Sequence, residues 1–187
     1  MPTLVPGANT PIPHTPCQVT VTSQNANRFG IEMGCVWIAM DASRRATTSP
    51  AYLHESKDWA ALTVESEKSH VWTLDLANVF SQNQTQYLQL IVYAYQDASV
   101  IAPAVEVNDL GIKVGSDIDY AFHTPERHIK ASIVLEIYQR NGQYKCRALA
   151  ETSSQSLANF AERLQISLDA RYPNNMTTGN VLQAIPD

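Results

Sequence analysis

The stretch Ser132 to Ala150, SIVLEIYQRNGQYKCRALA, constrains the fold more than any other, because two runs of strand-forming residues flank Asn141-Gly142. Both central residues of a type I′ turn need positive φ, which glycine accepts freely and asparagine tolerates, so Asn-Gly between such runs signals a two-residue hairpin. That loop pairs Arg140 with Gln143. Counting outward sets Ile137 opposite Cys146, Leu135 opposite Ala148 and Ile133 opposite Ala150 on one apolar face. On the other face Tyr138 meets Lys145 and Glu136 meets Arg147, a cross-strand pair of opposite charge of a kind that contributes about 0.2–1 kcal/mol. One segment therefore predicts a turn, a register and a buried side.

At 187 residues the chain is long enough for one well-buried domain with a tail. Its hydrophobic fraction of 44% and charged fraction of 17% are those of an ordinary globular protein, with disorder expected only at the ends. A net charge of -5 argues against nucleic acid and anionic membrane as partners, which select basic stripes. Cys17, Cys35 and Cys146 are an odd number, and none lies at metal-clip spacing from another, so neither a disulfide framework nor a zinc site is signalled. A reduced, cytoplasmic setting is the expectation. The opening MPTLVPGANTPIP has neither a basic nor an apolar leader region, and no apolar run approaches the ~20 residues that cross a bilayer. The reading is of a chain neither secreted nor inserted in a membrane.

Pro2, Pro6, Gly7, Pro11, Pro13 and Pro16 make the opening an extended or turning arm. Alternation in CQVTVTS from Cys17 predicts a strand, and Ile31 to Met40, apolar on both sides, predicts a central one. Further strands are expected over Trp59 to Val64 and Val71 to Leu76, either side of the charged link Glu65-Ser66-Glu67-Lys68. Tyr87 to Tyr95, Ala104 to Val107 and Leu110 to Val114 follow before the hairpin. Late in the chain Thr152 and Gln155 form a capping-box pattern, and Leu157, Phe160, Ala161, Leu164 and Leu168 recur at helical spacing. Roughly eight turn-separated strands and one late helix predict an all-β fold, a two-sheet β-sandwich with one C-terminal helix, rather than alternating βαβ units. The division expected is a proline-rich N-terminal arm over 1–16, the sandwich over 17–172 and a linker or tail over 173–187.

Chemistry-bearing motifs are scarce. No G-x-S-x-G elbow and no Gly-rich phosphate loop occurs, so neither nucleophilic catalysis nor nucleotide binding by those devices is signalled. His54-Glu55-Ser56-Lys57-Asp58 with Glu65, Glu67 and His70 concentrates oxygen and nitrogen donors, but the spacing matches no metal motif and a solvated charged loop is favoured. Glu32, Glu55, Asp58, Glu65 and Glu67 are the weak metal candidates. His14, His123 and His128 are isolated in sequence and read as surface residues. Trp37, Trp59 and Trp72 read as core, and the cysteines as small buried hydrophobes.

The residues do carry a resemblance. Glu136-Ile137-Tyr138, Arg140-Asn141-Gly142, Tyr144-Lys145 and Arg147-Ala148 resemble the E-L-Y-R-x-x-G-x-W-K-x-x-A segment of tellurium-resistance TerD-family domains. Leu4-Val5-Pro6-Gly7-Ala8-Asn9 is similar to that family's L-x-x-G-x-N opening, and Trp72-Thr73-Leu74-Asp75-Leu76 to its I-x-V-D-L strand, all in family order. The resemblance implies a calcium-associated, cytoplasmic, bacterial β-sandwich linked to tellurite and other stress responses. Where calcium-binding members carry D-L-D-A-S and D-N-x-T-G-x-G-x-G-D-D-E, this chain has Phe29-Gly30-Ile31-Glu32-Met33-Gly34 and the glycine-free stretch from His54 to His70. The opening and the tail resemble the divergent TerA and TerF type, which belongs to longer proteins, so the chain is expected to be one domain of a larger one.

The expectation is a non-enzymatic binding or scaffolding domain that has lost the family's calcium sites and takes no cofactor. Its partners would be other proteins of a stress-response assembly. The alternative is a metal-dependent sensor or enzyme with a site in the 54–70 loops.

Overall fold

The computed structural model describes residues 3–13, 16–24, 33–48, 51–52, 57–66, 68–82, 84–94 and 107–154, the side chains of 52 and 64–66 excepted. In chain order the elements are β1 (Thr3–Leu4), β2 (Asn9–Pro11), β3 (Cys17–Ser23), β4 (Met33–Met40), β5 (Ala51–Tyr52), β6 (Ala60–Ser66) and β7 (Ser69–Leu74). After them come α1 (Leu76–Phe80), β8 (Tyr87–Ala94), β9 (Asp109–Val114), β10 (Ile118–His123), β11 (Ala131–Arg140) and β12 (Gln143–Ser153). They form two six-stranded sheets, β1-β10-β9-β3-β7-β6 and β2-β12-β11-β8-β4-β5. The fold is an all-β sandwich.

The Asn141-Gly142 hairpin has the expected register through most of its length. Asn141 and Gly142 take φ of 54° and 73°, and Arg140 pairs with Gln143, Tyr138 with Lys145, Ile137 with Cys146, Glu136 with Arg147 and Leu135 with Ala148. The register then shifts at a bulge between Ile133 and Leu135, so Ile133 faces Glu151 and not Ala150. The same bulge interrupts the pairing of β11 with β8. Beyond it the ladder continues through Ser132↔Thr152 and Ala131↔Ser153. Thr152 is thus a strand residue, its hydroxyl donating to Glu126 Oε2 at 3.0 Å, and it does not cap a helix. The helical pattern over 155–168 and the tail over 173–187 lie outside the described residues, as does 101–106.

Leu135, Ile137, Cys146 and Ala148 enter the core between the sheets, with Leu88, Leu90 and Val92 of β8, Cys35 and Trp37 of β4, and Val19, Val21 and Trp72 of the other sheet. Trp37 and Trp72 meet edge to face across the sandwich at 6.4 Å and 76°, a geometry that adds about 0.5–1.5 kcal/mol beyond area burial. All three tryptophans and all three cysteines are buried. β8 is central as expected, between β11 and β4, while β4 sits one place in from the edge, flanked by the two-residue β5. Both faces of β4 are nevertheless buried, which is why it reads as a continuous apolar run.

Other elements differ from expectation. β6 extends to Ser66 and β7 begins at Ser69, so Glu65 and Ser66 of the charged link belong to β6. Asp75 ends the strand and caps α1, its Oδ1 accepting from the Asn78 N–H at 3.0 Å. β10 is a strand beyond those predicted, with Ile118, Tyr120 and Phe122 alternating inward and Asp119, Ala121 and His123 outward. The proline-rich opening contributes β1 to one sheet, parallel to β10, and β2 to the other, antiparallel to β12. Between them Val5-Pro6-Gly7-Ala8 makes a tight turn with Gly7 at φ 88° and Ala8 N–H on Val5 C=O, stitching the two sheets at one edge.

Candidate functional site

The second sheet carries one buried carboxylate. Glu136 lies on β11 between Leu135 and Ile137, both of which face the core, so its side chain points to the sheet's outer face. Sequence predicts a cross-strand ion pair with Arg147 on the face away from the core, and in that pair Glu136 is only 1% exposed. Its register neighbours explain how it is tolerated. On one side Gln89 of β8 donates Nε2 to Oε2 at 2.7 Å, and on the other Arg147 of β12 donates Nη1 to Oε1 at 3.3 Å. A third partner arrives from the loop after β4, where Arg44 offers Nε to Oε2 at 3.3 Å and Nη2 to Oε1 at 3.4 Å. The carboxylate thereby receives four hydrogen bonds, about as many as its lone pairs accept.

The loop that delivers Arg44 is strained and held. Arg44 has φ 60°, a left-handed conformation that a non-glycine residue keeps only where its surroundings impose it. Asp41 imposes it: its Oδ1 accepts from Ser43 N–H at 2.8 Å and Arg45 N–H at 3.0 Å, while its carbonyl accepts from Arg44 N–H at 2.9 Å. The Arg44 guanidinium lies 4.2 Å over the Tyr87 ring and that of Arg147 lies 4.9 Å over Tyr138, cation–π contacts that fix both planes. Burial works against the charge on Arg44, but the hydrogen bond and charge of Glu136, with Tyr87, outweigh it and raise its pKa. Arg44, Gln89, Glu136, Arg147, Ser43 and Glu151 border a cavity of about 410 Å³.

Of the weak metal candidates, Glu32, Glu55 and Glu67 lie outside the described residues, as do His14 and His54, and Glu65 is described only as backbone within β6. Asp58 is exposed in the turn before β6 and borders a cavity of about 530 Å³ with Pro16, Thr73, Asp75, Leu76 and Tyr144. Among the described residues no three His, Cys, Asp or Glu side chains converge as a metal site. His70 does not join Asp58, since it is 1% exposed within β7. His123 is exposed beside Asp109 at 3.9 Å, and His128 is exposed. Burial pushes the Cys17 and Cys35 thiols up to about 12 and Cys146 to about 11, which keeps them protonated and unreactive at neutral pH.

Sequence reasoning missed Arg44 and Gln89. A signal existed for Gln89, the lone amide inside YLQLIVYAY, because a polar side chain in a strand buried on both faces needs a partner. Nothing local marks Arg44, which meets Glu136 across 92 positions. Among the described residues no helix is long and apolar enough to cross a membrane. The sequence matches no protein-family model and no curated protein.

Proposed function

We propose that this chain is a non-enzymatic, TerD-like binding or scaffolding domain of a bacterial, cytoplasmic stress-response system of the tellurite-resistance type, whose partners are other proteins of that assembly. The observation that carries the reading is the convergence of its two most widely separated resembling segments. The turn of the L-x-x-G-x-N opening lies along β12, with Gly7 N–H on Ala148 C=O at 2.8 Å and Ala148 N–H on Ala8 C=O at 3.0 Å, and Asn9 is the register partner of Arg147. Two residues of the resembling pattern, Glu136 and Tyr138, belong to the buried ion cluster, where Arg147 joins them from an unspecified position of that pattern. A rigid sheet face carrying arginine and tyrosine suits recognition, since those residue types dominate binding hot spots.

One observation favours the sensor reading, namely that Asp58 and Asp75 border one cavity. A divalent-metal titration followed by NMR separates the two. The module reading expects amide shifts near Asp58 and Asp75 to stay within the background of exposed carboxylates. Saturable shifts confined to those residues would replace it with the sensor.

A further inference from the structure

We propose that the cavity between Arg44 and Arg147 is a carboxylate-binding site, taking an acidic side chain or chain terminus of a partner protein, or a small free carboxylic acid of the same chemistry. This deepens the binding-module reading and rests on it for the partner, while the site itself rests on the geometry alone.

Charge is the first argument. Glu136 is one carboxylate, and Arg44 alone, through Nε and Nη2, would neutralise it in a two-pronged contact. Arg147 is a second cation on the same group, adding one hydrogen bond through Nη1. With Gln89 also donating, Glu136 has no lone pair left to accept more. Hydrogen-bond capacity points the same way, because each guanidinium carries five N–H donors and Glu136 uses two of Arg44's and one of Arg147's. Both side chains border the cavity, at 46% and 33% exposure, so a ligand can reach them.

Preorganisation is the second argument. The Asp41 loop holds Arg44 at φ 60°, Tyr87 and Tyr138 set the guanidinium planes, and Glu136 clamps their inner edges. A carboxylate would meet donors already oriented, and the ordering that normally weakens arginine contacts is done in advance. A volume of about 410 Å³ admits a carboxylate together with the stem that carries it. Glu151 also borders the cavity, where its charge weakens the pull of the two arginines on an incoming carboxylate.

The test uses the full chain and side-chain Nε–H NMR signals of Arg44 and Arg147. Acetate is one probe; a penta-glutamate peptide, with penta-glutamine as control, is the other. Saturable shifts of both signals are expected, at about millimolar acetate. Arg147→Lys keeps a cation beside Glu136 but removes the fork, so it should weaken binding about tenfold while leaving the melting temperature near that of the parent. Glu151→Gln should tighten binding. Acetate binding without peptide binding identifies the small acid as the source, and tighter peptide binding identifies a protein partner. Silence from both probes overturns the site. So does peptide binding that is equal in Arg147→Lys and vanishes with modest salt, which would be diffuse attraction. These outcomes do not depend on the metal titration, so the site and the module reading can fail separately.

Discussion

Two of the clefts among the described residues, one holding Glu136 and the other Asp58 and Asp75, are built in opposite ways. At Glu136 the carboxylate is 1% exposed and every acceptor position is filled, by two arginines and an amide. In the other cleft Asp58 is exposed, and Asp75 satisfies the first turn of α1 with one oxygen. The first cleft spends backbone strain at Arg44 to hold its geometry, whereas the acids of the second stay hydrated. The contrast teaches what the burial of Glu136 requires: Gln89 and Arg147 flank it because β8 and β12 flank β11, and the Asp41 loop brings Arg44.

The largest effect should come from stripping the clamp. Changing Arg44 and Arg147 together to Met keeps the stems and leaves Glu136 with Gln89 alone, an uncompensated buried charge. We expect a loss of about 3 kcal/mol, at the low end for broken buried pairs because both arginines are partly exposed and water can replace some of what they supply. The control is Lys113→Met, which breaks the 4.0 Å contact to Asp119 between residues 49% and 40% exposed and should cost below ~0.5 kcal/mol. Urea midpoints that fall equally in both variants would mean that the burial of Glu136 gives its ion pairs no more weight than an exposed contact has.

Next in size is the turn that sets the clamp's register. Gly142 has φ 73° and open space around its missing side chain, so Gly142→Val tests backbone conformation without a clash. It should destabilise by more than ~1 kcal/mol, because a β-branched residue resists positive φ. An unchanged urea midpoint would mean that β11 and β12 find their register without the turn.

That hairpin was the most legible part of the chain, since a two-residue turn and strict alternation leave little freedom. Its bulge was not legible, because the shift between Ile133 and Leu135 is shared with β8, a strand some 40 positions away. The burial of Glu136 was hidden for the same reason: alternation assigns it to the polar side of the hairpin, and only the third strand and the Asp41 loop close over it. The two-sheet architecture followed from many short strands. β10 carries its alternation openly in the sequence, whereas β1 and β2 are so short that only tertiary pairing defines them. Of the proposed metal candidates, Asp58 alone is described with its side chain, and its neighbour Asp75 came from a different motif.

In the second cleft the expected effects are smaller. Asp75→Ala removes the cap of α1, a helix of 5 residues, and should cost about 1 kcal/mol, within the usual range for a lost N-cap. Thermal unfolding would measure it, and no loss at all would mean that α1 is held by the burial of Leu76 and Val79 alone.

The smallest effect expected is that of calcium, which should leave the melting temperature of the EDTA-treated chain unchanged. Calcium takes about six to eight oxygen ligands on sharply turning loops, usually with glycine. The stretch from His54 to His70 contains no glycine, and its acids Glu55, Asp58, Glu65 and Glu67 are interspersed with Lys57 and Lys68, which weaken the field that a dication needs. Asp75, the one further acid bordering the cavity with Asp58, has Oδ1 engaged by Asn78 N–H. A ligand at a hundred times its dissociation constant stabilises the native state by about 2.7 kcal/mol, which for a chain of this size is a shift on the order of 5 °C or more. A rise of that size in low-millimolar calcium would show that the open cleft gathers ligands as effectively as the clamp gathers donors. The metal-sensor reading, centred on Asp58 and Asp75, would then displace the binding module.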